Sequence, residues 1–276
     1  MVQVVTLRDI ARERMNTCSD QLARKFLRSV RPIFGSTKHG EPEHIGSCVL
    51  VEFGGTKYVV TAAHVIDNNE QTTLYVSGEK NLVEIVGDFL VTEPPSGHRG
   101  NDKLDFAVHK VSEDFEASLG HLDYIDEKEC LTHSQREPQK FCLALGYPNS
   151  KNKKFDRNAK TVKEVPFIYS SFLKHEADLF SAVGASATSH LLLDFCGKYS
   201  KDEEGNKVNS WSPIGVSGGG LFSIKGLDFA SIRADSWCQG KLIGIFIEFH
   251  RAQKVLVAVK LSTIYAALIN AGKGRF

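Results

Sequence analysis

The runs SCVLVEF (47–53), KYVVTAA (57–63), TTLYVS (72–77), LVEIVGDFLV (82–91) and DFAVHKV (105–111) are rich in Val, Leu, Ile and aromatic residues, and Gly, Asn or Pro breaks the chain between them at short intervals. β-Branched and aromatic side chains crowd a helix but suit a pleated surface, so a chain punctuated this way predicts a meander of short strands. FGGTK, between the first two runs, predicts a tight hairpin because its glycines supply the positive φ that such a turn needs. A polar, partly helical stretch near 112–135 follows, and then a second set: KFCLALGYP (140–148), HLLLDFC (190–196), GGGLFSI (218–224), KLIGIFIEF (241–249) and KVLVAVKL (254–261). Two β units in tandem are the economical reading, with boundaries at 32–135 and 136–276.

Two segments depart from this period. Leu7, Ala11, Met15, Cys18, Leu22, Phe26 and Val30 recur at steps of three and four, the spacing of one helical face, and Thr6 can cap the start. Residues 1–31 are therefore expected to form a helical arm. Its polar face is net basic, and it either packs on the domain behind it or docks a regulatory partner or membrane surface. STIYAALINAG (262–272) predicts a short terminal helix closed by Gly272. Two polar inserts, 149–163 and 197–210, are expected to be solvated loops that flank a cleft.

Composition excludes several classes of function. Thirty-four Lys and Arg against thirty-three Asp and Glu leave a formal charge of +1, which argues against nucleic acid or an anionic membrane as partner. No apolar stretch approaches the ~20 residues of a membrane span, and MVQVVTLRDIARERM carries charges where a signal peptide would be apolar, so a cytoplasmic location is expected. The six cysteines, at 18, 48, 130, 142, 196 and 238, show no CxxC pair and no metal-ligand spacing, and are expected to be reduced core thiols. The histidines lack paired ligand spacing and no phosphate loop or dinucleotide fingerprint occurs, so neither a metal nor a cofactor is expected.

Three residues carry chemistry together. His64 ends the strand KYVVTAA behind small residues that leave room for an imidazole, and Asp105 opens the run DFAVHKV forty-one positions later. Ser217 lies in the glycine-rich turn GVSGGG before the strand GLFSI, where backbone amides can face a substrate. A serine hydroxyl is a poor nucleophile at neutral pH. Acyl transfer therefore needs a base for its proton, a group that orients the base, and amides for the developing oxyanion. Each residue alone reads more simply as a core histidine, a turn aspartate and a loop serine. The GxSxG elbow at 215–219 also raises an esterase of the α/β-hydrolase type, but that fold needs a helix after the serine and the order Ser, Asp, His.

With the motifs GSCVLVEFGGTKYVVTAAHVI, LDFAVHKV, ALGYP, GVSGGGLF and KLIGIFIEF, in the order His, Asp, Ser, the chain resembles the trypsin-like serine peptidases, in particular the disulfide-free bacterial branch with the HtrA-type proteases. The resemblance covers about residues 32–272. It implies an all-β fold of two antiparallel barrels with a short C-terminal helix, and a serine endopeptidase acting on polypeptides through His64 as base, Asp105 as its orienter and Ser217 as nucleophile. It implies an oxyanion hole of the Gly215 and Ser217 amides, and substrate contacts from Trp211, Ile247, Glu248 and Phe249 with a preference for small or medium apolar side chains. Val65 stands where secreted members have a bridging cysteine, so Cys48 has no partner there, and Val216 replaces the aspartate of zymogen-activated members. The alternative is a latent or binding module that keeps the double barrel with its cleft closed.

Overall fold

The computed structural model describes residues 6–133, 140–152, 155–156, 161–196, 200–201, 207–208, 211–227 and 238–272. Helix α1 (Leu7–Phe26) opens on a capping box: the Thr6 hydroxyl accepts the Asp9 N–H, and the Asp9 carboxylate accepts the Thr6 N–H. Only the C-terminal half of its apolar stripe is buried, through Cys18, Leu22, Ala23 and Phe26, whereas Leu7 stays 71% exposed.

The first β unit runs β1 (Val30–Ser36), β2 (Pro42–Phe53), β3 (Thr56–Ala62), the single turn α2 (Ala63–Ile66), β4 (Tyr75–Ser77), β5 (Leu82–Glu84), β6 (Phe89–Val91), β7 (Phe106–Lys110), helix α3 (Glu113–Leu119) and β8 (Ile125–Asp126). The strands pair in the order β5-β4-β1-β2-β3-β7-β6, with β8 added in parallel to β2. Gly54 and Gly55 make the β2–β3 hairpin at φ +55° and +78°. Among the described residues this sheet curls into a half-barrel whose edge strands do not pair, and with the second unit it makes the two-barrel architecture expected from the sequence.

The second unit closes. It contains β9 (Phe141–Gly146), the two-residue ribbon β10 (Phe155–Asp156) and β11 (Thr161–Val162), β12 (Phe167–Lys174), helix α4 (Ala177–Ala182) and β13 (His190–Asp194). A second ribbon, β14 (Ser200–Lys201) with β15 (Lys207–Val208), precedes β16 (Gly220–Lys225), β17 (Gln239–His250), β18 (Val255–Lys260) and helix α5 (Leu261–Gly272). The order β12-β13-β18-β17-β16-β9 returns on itself as a closed barrel. The two inserts thus hold short ribbons, and the rest of each lies partly outside the described residues.

Alternation explains why the second set of runs is apolar throughout. In β18, Leu256 and Ala258 pack into the barrel interior while Val255, Val257 and Val259 join the larger core outside it, and Cys142/Ala144 against Leu143/Leu145 divide the same way in β9. A strand covered on both faces has no polar side. The covers are α1 and α5. Phe26 of α1 stacks on Phe222 of β16 at 4.5 Å between ring centroids, a full burial worth about 1.5–3 kcal/mol.

The cysteines correct the expectation of six reduced thiols. Cys18 of α1 is disulfide-bonded to Cys238 just before β17, across 220 residues of sequence and 5.2 Å between Cα atoms. Neither spacing nor composition pairs two such distant residues. The chain therefore departs from the disulfide-free branch, and reduced cysteines no longer support a cytoplasmic location. Cys48, Cys130 and Cys142 are buried outside that disulfide, and burial pushes the Cys48 thiol up to about 12, so it stays protonated. No helix among the described residues is long and apolar enough to cross a membrane.

Two stability measurements follow from this packing. Cys18→Ser is expected to lose about 2–4 kcal/mol, read as a lower denaturation midpoint that chemical reduction of the wild type reproduces. His44, buried on β2, is held down to about 4 by burial, against an ordinary 6.5, with the hydrogen bond it donates to Asn149 Oδ1 opposing. Its unfolded form takes a proton as pH falls through 6.5 while the folded form does not, so folded stability should drop between about pH 6.5 and 4, by roughly 3 kcal/mol in full. His44→Gln should remove that part of the acid dependence, measured as the difference between the two stability curves.

Candidate active site

The backbone leaves β3 at Ala62 and turns through α2, which brings His64 to the edge of the sheet beside the start of β7. Ala62 and Ala63 are fully buried, so the chain can turn there without displacing the core. Asp105 meets His64 twice: Oδ1 accepts the His64 backbone N–H at 2.9 Å, and Oδ2 lies 2.6 Å from Nδ1. Its own carbonyl takes the Ala63 N–H at 3.0 Å. A carboxylate oxygen only accepts here, so Nδ1 carries the proton and Nε2 keeps its lone pair.

Asp105 itself is held in a demanding conformation, at φ +38° and 7% exposure. Non-glycine residues rarely adopt that region, and the surrounding bonds must over-determine it. Arg99 supplies them. Its guanidinium grips Asp67, directly after α2, at 2.7 and 2.9 Å, and Asp102 at 2.8 Å. Asp102 also accepts the Leu104 N–H at 3.0 Å. Burial pushes the Asp102 carboxyl up, but the Asp105 N–H, the Thr92 hydroxyl, the Leu104 N–H and Arg99 together outweigh it and hold the group below its ordinary value. The clamp joins the segments that carry His64 and Asp105. Sequence reading passed over Arg99, Asp67 and Asp102, because three charged residues in polar loops read as solvated until the fold brings them together.

Ser217 is pinned from both β units. Its carbonyl accepts the Ser47 N–H of β2 at 2.8 Å, the Gly218 N–H donates to Phe246 O of β17 at 2.7 Å, and the Phe246 N–H donates back to Gly219 O at 2.8 Å. Gly218 stands at φ +85°, and a Cβ there would lie 1.8 Å from Ser47 O, so the docking of the two units forbids any side chain at that position. Ser47 is a further residue that the sequence did not single out. Its hydroxyl donates to Gly215 O at 3.2 Å and accepts the Tyr147 N–H at 2.9 Å, and its carbonyl accepts the Thr61 hydroxyl at 2.7 Å.

His64, Asp105, Gly215, Ser217, Ile247, Glu248 and Phe249 all line one cavity of about 710 Å³ between the half-barrel and the closed barrel. The amides of Gly215 and Ser217 have no acceptor among the described residues. The Ser217 hydroxyl donates to Ile247 O at 3.4 Å, and no hydrogen bond joins it to His64 among the described residues. Trp211 is not part of the lining: it lies 39% exposed under the Lys151 ammonium, 4.5 Å from its ring centroid, and Pro213 and Ile214 stand in the wall instead. No cluster of three or more His, Cys, Asp or Glu able to hold a metal occurs among the described residues.

Solved structures similar to this chain are proteases by their descriptions. The HtrA-type protease AlgW with tripeptide is similar to this chain at a TM-score of 0.50 and 16% identity, over 92% of this chain and 62% of that one. A thermostable serine protease, AL20, from an extremophilic microorganism matches at a TM-score of 0.49 and 14% identity, over 91% and 98% of the two chains. A Glu endopeptidase in complex with MPD matches at 0.46 and 14%, over 88% and 90%. No curated protein matches the sequence. A family profile described as Trypsin covers residues 28–256, from just after α1 into β18, and the chain therefore belongs to the trypsin family.

Proposed function

We propose that this protein is a serine endopeptidase that hydrolyses peptide bonds through an acyl-enzyme, with Ser217 as nucleophile, His64 as general base and acid, and Asp105 as the group that fixes the imidazole. The observation that carries the reading is the Asp105 Oδ2 to His64 Nδ1 contact at 2.6 Å on the wall of a cavity that Ser217 shares. With Nδ1 protonated, Nε2 is free to take the Ser217 proton as Oγ attacks the scissile carbonyl carbon. The carbonyl oxygen gains the negative charge, and the amides of Gly215 and Ser217, which have no acceptor within the described protein, are the donors for it. Collapse expels the amine, which takes the proton from Nε2. Water then repeats the sequence on the acyl-enzyme and restores Ser217.

Substrate selection follows from the wall. Ile247 and Phe249 of β17, with Leu256 and Val257 of β18 and Ile214 of the nucleophile turn, give the cavity an apolar side. A small or medium apolar side chain before the scissile bond fits it, and Glu248 opposes acidic ones.

One observation favours a second reading, a resting or latent enzyme: the Ser217 hydroxyl is bonded to Ile247 O and must leave it to reach His64. A fluorophosphonate probe separates the two, because only an activated serine is labelled. Labelling of the wild type that disappears in Ser217→Ala and in His64→Ala is expected, with turnover in Ser217→Ala down on the order of 10⁶-fold. Folded wild type that resists the probe identifies the latent form. In a peptide-library digest, cleavage should follow Val, Ala or Leu, and predominant cleavage after Lys or Arg would overturn the specificity assignment.

A further inference from the structure

The Gly215 amide is half of the proposed oxyanion site, and it belongs to the residue of the turn least able to keep its own orientation. Glycine takes φ of either sign at little cost, and Gly215 sits at φ +96°. Rotation of the Ile214–Gly215 peptide plane changes only Ile214 ψ and Gly215 φ, and it would turn the N–H out of the cavity and the Ile214 carbonyl into it. The plane that follows is held, since Gly215 O accepts the Ser47 hydroxyl. The plane that precedes needs a holder from outside the turn.

Asn149, three residues past β9, is that holder. Its backbone N–H donates to Ile214 O at 2.8 Å. The peptide is trans, so its C=O and N–H point in opposite directions, and fixing the oxygen on the Asn149 side leaves the Gly215 N–H facing the other way. The Asn149 side chain covers the same glycine: a Cβ built on Gly215 would stand 1.9 Å from Oδ1 and 2.7 Å from Cγ. Oδ1 is in turn held by His44 Nδ1 at 2.5 Å. An amide oxygen only accepts, so His44 is protonated on Nδ1. The ring packs edge-on to Phe34 at 5.6 Å, and its Nε2 is buried without a hydrogen-bond partner in the described structure, which keeps the imidazole neutral.

We infer that Asn149 and His44 are positioning residues of this site: His44 locks the Asn149 amide over Gly215, and Asn149 locks the Ile214–Gly215 plane so that the Gly215 N–H faces the developing oxyanion. The inference rests on the reading of Ser217 as nucleophile. His44 lies outside the cavity and Asn149 reaches its wall beside Gly215, and the part assigned to both is to aim the Gly215 N–H. Their loss should therefore reach kcat and leave substrate binding in place, because the donor they aim is used only when charge develops on the carbonyl oxygen.

The test compares wild type, Asn149→Ala, His44→Leu and His44→Gln with a chromogenic peptide, a fluorophosphonate probe and a peptide boronic acid, which forms a tetrahedral adduct. Asn149→Ala and His44→Leu are expected to lose about 10- to 100-fold in kcat, up to the loss of a whole oxyanion donor, with KM unchanged and boronate affinity falling in step with kcat. His44→Gln retains an N–H for Oδ1 and should recover most of the loss. Should His44→Leu fail to fold, Asn149→Ala at its half-exposed position still decides. Wild type that labels and turns over, beside an Asn149→Ala variant of equal kcat and boronate affinity, overturns the inference alone. Folded wild type that neither labels nor turns over overturns the reading of Ser217 as an active nucleophile in this form of the protein, and this inference with it.

Discussion

Ser47 is the point on which the rest of the site depends. Its N–H holds the Ser217 carbonyl, its hydroxyl bridges Gly215 O and the Tyr147 N–H, and its carbonyl accepts the hydroxyl of Thr61, three residues before His64. One buried residue of the half-barrel thus ties the Ser217 turn, the exit from β9 and the strand leading to His64 into a single bonded unit. A polar group at such a seam is costly unless every bond is made, and here the N–H, hydroxyl and carbonyl of Ser47 all have partners. The glycines of the turn follow from the same contact, since Gly218 lies against Ser47 O with no space for a side chain.

The two units are joined again away from the cleft. Arg31 of β1 donates to Ser77 O at 2.8 Å and Gly78 O at 3.0 Å, and pairs with Glu164 of the second unit at 3.1 Å, with both charged groups largely buried. Helix α1 adds a third tie by burying Phe26 against β16 and linking Cys18 to Cys238. The interface is therefore fixed by specific bonds at its floor, its side and its back. That matters because His64 and Asp105 come from one unit and Ser217 from the other, and a small relative shift would separate them.

Arg99 plays the corresponding part for the carboxylate. By bridging Asp67 and Asp102 it sets the chain on either side of the His64–Asp105 contact, and the strained backbone of Asp105 persists because those neighbours leave it no alternative. Orientation of the imidazole is thus a property of the loop network and not of Asp105 alone.

Strand periodicity, turn glycines and capping signals are local, and for that reason the two β units, α1 with its Thr6 cap, the β2–β3 hairpin and the terminal helix were legible in the sequence. His64, Asp105 and Ser217 were singled out from short segments with local marks, and the fold brings all three to one cavity. Trp211 was misread, since the insert before it obscures the register of the wall, and it lies outside the cavity while Pro213 and Ile214 line it. Ser47, Asn149, Arg99 and the Cys18–Cys238 bond carry no local mark: a serine in a strand, an asparagine after a proline and two cysteines 220 residues apart acquire meaning only from what they touch. By itself the sequence determined the kinds of element and their order, and it marked three residues that the fold places on one cavity. Only the tertiary structure decided that one sheet closes while the other forms a half-barrel among the described residues, which hydroxyl holds the Ser217 turn, and that the Ser217 oxygen rests on Ile247 O, because those outcomes depend on distances between segments remote in the chain.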